Sequence, residues 1–228
     1  AAHELRTPLA AIGSAIDVLQ AGAKEDPEQR DRFLDIVERQ STRLGRLVHA
    51  LLTLARAQTR SEPVRLEPVD VGVLVDEAAA ELRETRGVQA ESCCPRGLVA
   101  RAHPELLGEA IGNLARNAAK HAAGGRIELA AERDGGDRIR IEVRDEGAGI
   151  HPLHRERVFD RFYRSDDRGC DGFGLGLSIV REVTEAMGGE VEIDARDGGG
   201  TVAAIVVPAA RVERRELGAM AAATRIGS

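Results

Sequence analysis

Tryptophan is absent from this chain, tyrosine occurs once, phenylalanine four times and cysteine three times. With aromatics at 2%, the cores must be aliphatic, and nucleic-acid bases would find almost nothing to stack on. A net charge of -6 argues in the same direction, so no nucleic-acid partner is expected. The cysteines are Cys93, Cys94 and Cys170, an odd number with no C-x-x-C spacing. That argues against a disulfide framework and a structural zinc site, and makes a reducing cytoplasm the simplest compartment. No apolar run approaches the roughly 18 residues a membrane span needs, and the first residues are unlike a signal peptide. This stretch is therefore expected to make no membrane contact. Because the chain begins inside a helical pattern, it is read as the soluble end of a longer protein.

What is present is ordinary for one or two soluble domains: 228 residues, 43% hydrophobic and 31% charged. Leu5, Leu9, Ile12, Ile16 and Leu19 recur in steps of four and three, the stripe of a helix packing along a partner. "AGAKEDPEQ" interrupts it with Gly22 and Pro27. A second stripe follows at Phe33, Val37, Gln40, Leu44, Leu47, Leu51 and Leu54. Two such helices make a hairpin, and two copies pairing as a four-helix bundle would cover the apolar surface that one hairpin leaves wet. "TRSEPVRLEPVD" reads as a linker entering a short strand at Val64 to Leu66. Beyond it, helical stretches Val71 to Arg86 and Pro104 to Ala122 interleave with the strand-like runs "RIELAAER", "RIRIEVRD", "EVEIDA" and "TVAAIVVP". "RDGGD" and "RDGGG" supply turns. The expected fold is α+β: a hairpin domain over residues 1–60, a mixed domain with several antiparallel strand hairpins over 61–210, and a disordered tail over 211–228.

Three constellations carry chemistry. "EAIGNLARNAAKHA" puts Asn113, Asn117 and Lys120 on one helical face. A carboxamide oxygen is a neutral hard ligand suited to Mg²⁺ beside nucleotide phosphates, and a lysine offers those phosphates a point charge. The bland alternative is a solvated face. "VRDEGAGI" ends a predicted strand on Asp145, with Gly147 and Gly149 following. A carboxylate there can accept from an exocyclic amine such as adenine's, and the glycines let a flat ring approach the backbone; a plain Asp-Glu-Gly turn is the alternative. "GFGLGLSIVREVTEAM" is a helix opened by Gly172, Gly174 and Gly176, whose free amides and positive dipole end suit phosphate oxygens. Its spacing is not that of the dinucleotide fingerprint. Gly199 and Gly200 are read as a strand turn rather than ligand contacts. The opening "HELRT" lacks the second histidine of a zinc protease, because Thr7 stands where it would be.

The order His-Glu-x-x-Thr-Pro, N-x-x-x-N-A-x-K, D-x-G-x-G, F-x-R-F-Y-R, G-x-G-L-G-L and G-G-T resembles the catalytic core of two-component sensor histidine kinases, over roughly residues 1 to 208. The resemblance implies a dimerising phosphoacceptor hairpin followed by an ATP-binding sandwich related to the gyrase and MutL ATPases. It implies that His3 is the phosphorylated histidine, that Glu4 is its acid-base partner, and that Thr7 orients water when a phosphorylated response regulator is dephosphorylated. Pro8 matches the proline that bends the first helix. Asn117 would be the Mg²⁺ ligand, with Asn113 beside it and Lys120 and His121 near the ATP phosphates. Asp145 would read the adenine amine, with Gly147 and Gly149 shaping the pocket. Phe159, Phe162 and Arg164 would belong to a mobile lid, and Gly172, Gly174, Leu175 and Gly176 would flank the triphosphate. The implied partners are a response-regulator receiver domain and a second copy of the chain. Related hydrolases carry a glutamate general base four residues before the Mg²⁺ asparagine; here that place is Asn113, and an amide cannot take a proton from water.

Overall fold

The computed structural model describes residues 2–58, 64–85, 87–122, 125–164 and 173–210, with the backbone alone at 2–4, 46, 49–51, 54 and 56–58. The chain divides into two compact units, Ala1–Ala55 and Arg56–Ser228. The expected disorder of the tail and the position of Cys170 fall outside the described residues.

The first unit holds helix α1, Ala2–Gln20, and most of α2, Pro27–Gln58. Gly22, at φ 126°, takes a backbone conformation closed to other residues and ends the first helical run. Asp26 then starts the second. Its carboxylate accepts from the backbone amides of Glu28 and Gln29 at 3.0 and 3.3 Å, and Pro27 stands where a missing N–H costs nothing. On α2 the inward face falls where the spacing places it: Phe33, Val37, Gln40 and Leu44 are half-buried and Leu47 is fully buried.

On α1 the face differs from the expected one. Pro8 and Ala15 are buried, while Leu9 and Ile16 stay 54% and 40% exposed. The series 5-8-12-15-19 and 5-9-12-16-19 share three members and the same seven-residue period, so periodicity alone does not separate them. Side-chain bulk does: the small Pro8 and Ala15 permit a close approach, and the larger Leu9 and Ile16 move to the flank. With Val18, Leu34, Val48 and Leu52 they make six exposed large apolar side chains among the described residues of the unit.

The second unit is a two-layer sandwich. Its sheet has the order β2-β4-β5-β7-β6, built from Gln89–Cys93, Arg126–Asp134, Arg138–Asp145, Thr201–Pro208 and Glu190–Ala195 respectively. β2 runs parallel to β4, and the other pairs are antiparallel. A separate antiparallel pair joins β1, Glu67–Asp70, to β3, Val99–Ala102. The alternation of β4 and β5 buries Ile127, Leu129, Ile139 and Ile141 on one face. Helices α3, Val71–Glu84, α4, Pro104–His121, and α5, Gly176–Ala186, contribute Val75, Leu82, Leu107, Ile111, Ile179 and Val183 to the same aliphatic core. The opposite face carries charges of alternating sign. Glu142 bridges Arg140 and Arg144, which reach on to Glu192 and Glu128 at 2.8 and 3.1 Å. Among the described residues no helix is long and apolar enough to cross a membrane.

Two expectations need correction. The linker strand lies at Glu67–Asp70 rather than Val64 to Leu66, because its partner β3 supplies backbone hydrogen bonds three residues further on. Strands β2 and β3 were not marked by the sequence pattern: "QAESC" has a single buried residue, Ala90, and "VARA" is only four residues long. Cys93 is exposed and Cys94 half-buried. Burial, with Asp70, Asp76 and Cys93 nearby, pushes the Cys94 thiol above its ordinary range, up to about 11. At pH 8 its alkylation by iodoacetamide should therefore run about 100-fold slower than that of an unperturbed thiol, read by peptide mass against time.

Candidate active site

Asp145 ends β5 and is 5% exposed. Its Oδ1 accepts from the backbone N–H of Gly147 at 2.8 Å and of Thr201 at 3.3 Å. Both of these bonds fall on one oxygen, which fixes the carboxylate plane and leaves Oδ2 as the acceptor for an incoming donor. The surrounding glycines are required by crowding. A Cβ on Gly147 would collide with the His121 carbonyl and sit 2.9 Å from Asp145 Oδ1; one on Gly200 would collide with the Asp145 carbonyl. Gly149, at φ 74°, would place a Cβ 3.0 Å from the Gly200 carbonyl. The loop after β5, the end of α4 and the β6–β7 turn are thus interlocked around one carboxylate. Arg196, in that turn, makes an ion pair with Glu146 at 3.1 Å and reaches the Asp145 carbonyl at 3.4 Å.

Helix α4 carries Asn113 and Asn117, both half-buried, and the exposed Lys120 on one face. The Asn113 Nδ2 donates to the Glu109 carbonyl and to Glu109 Oε1, each at 3.0 Å. A Cβ on Gly176 would lie 3.6 Å from Asn113 Oδ1, so the asparagine oxygen faces the first residue of α5. Approaching α5, Gly174 takes φ 66°, and its carbonyl accepts from the Phe162 amide at 2.9 Å. A Cβ on Gly174 would lie 2.5 Å from the Tyr163 carbonyl. The α4 carboxamides, an α5 N-terminus and a carboxylate that accepts donors together have the chemistry of a nucleoside triphosphate site.

The comparisons agree with this geometry. Residues 1–60 match the model of the His Kinase A (phospho-acceptor) domain, and residues 102–211 match that of the histidine kinase-, DNA gyrase B-, and HSP90-like ATPase. The structure of the mycobacterial sensor histidine kinase MprB is similar with a TM-score of 0.57 and 32% identity, covering 63% of this chain and 97% of that one. The chain belongs to the two-component sensor histidine kinases. Full-length ShkA, solved in complex with AMPPNP, is similar over 92% of this kinase and 45% of ShkA, with a TM-score of 0.68 and 29% identity. The sensor protein kinase WalK of Staphylococcus saprophyticus is 32% identical over 219 residues, 90% of this chain and 35% of WalK. The chain spans about a third of that curated relative's length.

Within the kinase the expected residues fall into three groups. Asp145, Gly147, Gly149, Asn113, Asn117, Lys120, His121, Gly174 and Gly176 all lie in the second unit, on the strand end, the helix face and the helix start just described. Partial burial, with Lys120 adding and Asp145 opposing, holds the His121 imidazole below its ordinary range, so the ring is neutral near pH 7. Leu175, directly before α5, is 3% exposed, so its side chain belongs to the core and supports the start of that helix. The helix itself begins at Gly176, and Gly172 lies outside the described residues.

Phe159, Phe162 and Arg164 are half-buried. Phe159 ends a short 3-10 turn, Arg157–Phe159, with the Arg181 guanidinium 5.7 Å from its ring. Phe162 has φ 64°, an unusual conformation for a non-glycine, tied down by its bond to Gly174. Tyr163 pairs its hydroxyl with His154 Nδ1 at 2.5 Å under the Arg157 guanidinium. This stretch is braced against α5 by the Arg181–Phe159 contact and by the Arg161–Glu182 ion pair at 2.8 Å.

His3, Glu4 and Thr7 lie in the first unit on α1. The side chains of His3 and Glu4 are outside the description, and Thr7 is exposed. Thr201, Glu109 and Arg196 escaped the sequence reading. Thr201 could have been found from its place directly after the glycines of G-G-T; the other two have only their tertiary partners to mark them.

Proposed function

We propose that this kinase transfers the γ-phosphoryl group of ATP to His3 and passes it to an aspartate in the receiver domain of a response regulator, working as a homodimer through the hairpin. The observation that carries the nucleotide half of this reading is the Asp145 carboxylate, buried and held on one oxygen by two backbone amides, which leaves Oδ2 to accept from the adenine amine. Gly147 and Gly149 keep the backbone low enough for the purine. Lys120 and the amides at the start of α5 receive the phosphates. The asparagine pair fits a divalent cation, since Asn117 offers a neutral hard oxygen and Asn113 an acceptor beside it. Mg²⁺, when bound there, neutralises phosphate charge during transfer.

The His3 imidazole is a competent nucleophile when neutral, and Glu4 accepts the proton it gives up as the nitrogen–phosphorus bond forms and the bond to the ADP oxygen breaks. Thr7 serves the reverse traffic, orienting water toward the regulator's phosphoaspartate. The exposed Leu9, Ile16, Leu34, Val48 and Leu52 support dimerisation, because an unpaired hairpin would leave them in water. The kinase works in the cytoplasm as part of a longer, membrane-anchored sensor.

Asp145→Asn tests the nucleotide assignment. The substitution exchanges one acceptor oxygen for a donor facing the adenine amine. Loss of a charge-assisted hydrogen bond is worth roughly 1.5 to 3 kcal/mol, so calorimetry should show ATP affinity falling about tenfold to hundredfold. Unchanged affinity would place adenine elsewhere.

A further inference from the structure

The Asn113 carboxamide can face the nucleotide with its oxygen or with its NH₂ group, and the two ends have opposite chemistry: an acceptor suits the shell of a hydrated cation, a donor suits phosphate. The choice is made on the same helix. Glu109 lies one turn before Asn113, and both of its acceptors, the backbone carbonyl and Oε1, take hydrogen bonds from Asn113 Nδ2 at 3.0 Å. With both amide hydrogens consumed, the group Asn113 presents is Oδ1, the atom next to Gly176. Arg116 completes the set from an exposed position: its Nη2 approaches Asn113 Oδ1 at 3.4 Å and Glu109 Oε1 at 3.6 Å, and its Nη1 approaches Glu81 at 3.4 Å. These contacts hold the Glu109 carboxylate beside the amide. The arrangement lies outside the core, since Glu109 is 23% exposed, so packing is not what demands an acid there.

We propose that Glu109 is a positioning residue that orients the Asn113 carboxamide with its oxygen toward the nucleotide, so that Asn113 acts as an acceptor in the Mg²⁺-dependent part of nucleotide binding. This rests on the reading of α4 as one wall of the ATP site. It assigns to an acidic residue one turn earlier on the same helix the work of fixing the polarity of Asn113. A glutamine at position 109 can still accept through its carbonyl oxygen. A lysine side chain cannot accept; with only the backbone carbonyl of residue 109 left as acceptor, it would donate to Asn113 Oδ1 and turn the NH₂ group toward the phosphates.

The test is calorimetry of a non-hydrolysable ATP analogue on the full chain, with Mg²⁺ and with EDTA, for the wild type, Glu109→Gln and Glu109→Lys. The affinity ratio between the two conditions is the readout. Glu109→Gln should keep the ratio within about twofold of wild type, while Glu109→Lys should lower it about tenfold, the worth of one charge-assisted hydrogen bond. A purely structural role would weaken binding equally with and without Mg²⁺, leaving the ratio unchanged, and would overturn the proposal. So would a glutamine variant that loses as much as the lysine one. A wild-type chain that binds no analogue would overturn the nucleotide reading itself, an outcome distinct from binding whose Mg²⁺ ratio ignores position 109. Should Glu109→Lys fail to fold, Glu109→Ala takes its place: it keeps only the backbone acceptor, and its ratio should fall at least about threefold.

Discussion

Replacing His3 by glutamine should abolish the acid-labile phosphate that the chain takes up from γ-labelled ATP, while leaving ATP affinity within about twofold. Glutamine keeps much of the length and polarity of histidine and is a good helix former, so α1 loses little by the change. What it lacks is a nucleophilic nitrogen, because an amide lone pair is delocalised into its carbonyl. A phosphoryl group on imidazole is a phosphoramidate, lost in acid and retained in base, which separates it from serine, threonine and tyrosine esters. Nucleotide affinity should hold because His3 lies in the first compact unit and Asp145, Asn117 and Gly176 in the second. Label that survives acid, or that persists after the substitution, would mean that another residue is the acceptor. A parallel fall in affinity would mean that the histidine contributes to nucleotide binding rather than only receiving phosphate.

How far the sequence could be read depended on whether a signal was local. β5, β6 and β7 fall on the runs "RIRIEVRD", "EVEIDA" and "TVAAIVVP". In β5 and β6 charged residues alternate with branched ones, the two-residue period of a half-buried strand, whereas β7 is a continuous small and branched run buried over most of its length. β2 has no such contrast: it is held at the sheet edge by parallel pairing with β4, a partner more than thirty residues away. The α1 face shows the same limit. Pro8 and Ala15 are inward through the fit of one helix against its surroundings, and no count of apolar residues along α1 distinguishes that solution from Leu9 and Ile16.

The site divides in the same way. Asp145 and its glycines are contiguous, and their crowding is visible as a motif. Thr201 joins them only through a backbone bond across 56 positions, and the turn that brings it there is set by three glycines at φ 89°, 105° and 107°. Reading those glycines as a turn was sound; what the turn delivers to Asp145 is a tertiary fact. Glu109 is a different case, since a spacing of four on a helix is legible. Its importance emerges only when both hydrogens of one amide are seen to be used.

The two directions of phosphate traffic should separate on residues one helical turn apart. The imidazole proton must leave as the phosphoryl group arrives, and general-base assistance is typically worth about 100-fold to 10,000-fold, so Glu4→Ala should slow autophosphorylation by that order. Thr7 offers neither a base nor a cation to that step. It is exposed on α1, four residues after His3, the spacing that places two side chains on the same side of a helix. A hydroxyl there can hold a water toward a phosphoaspartate docked against the histidine, a reaction that needs no phosphate on His3 itself. Thr7→Ala should therefore keep autophosphorylation within about threefold while removing most regulator dephosphorylation. Both rates are measured on one preparation with a receiver domain that accepts phosphate from the kinase. A Thr7→Ala protein that is folded and binds ATP yet cannot phosphorylate itself would show that the hydroxyl takes part in the forward step. The division of work between Glu4 and Thr7 would then be wrong, even with His3 as the acceptor.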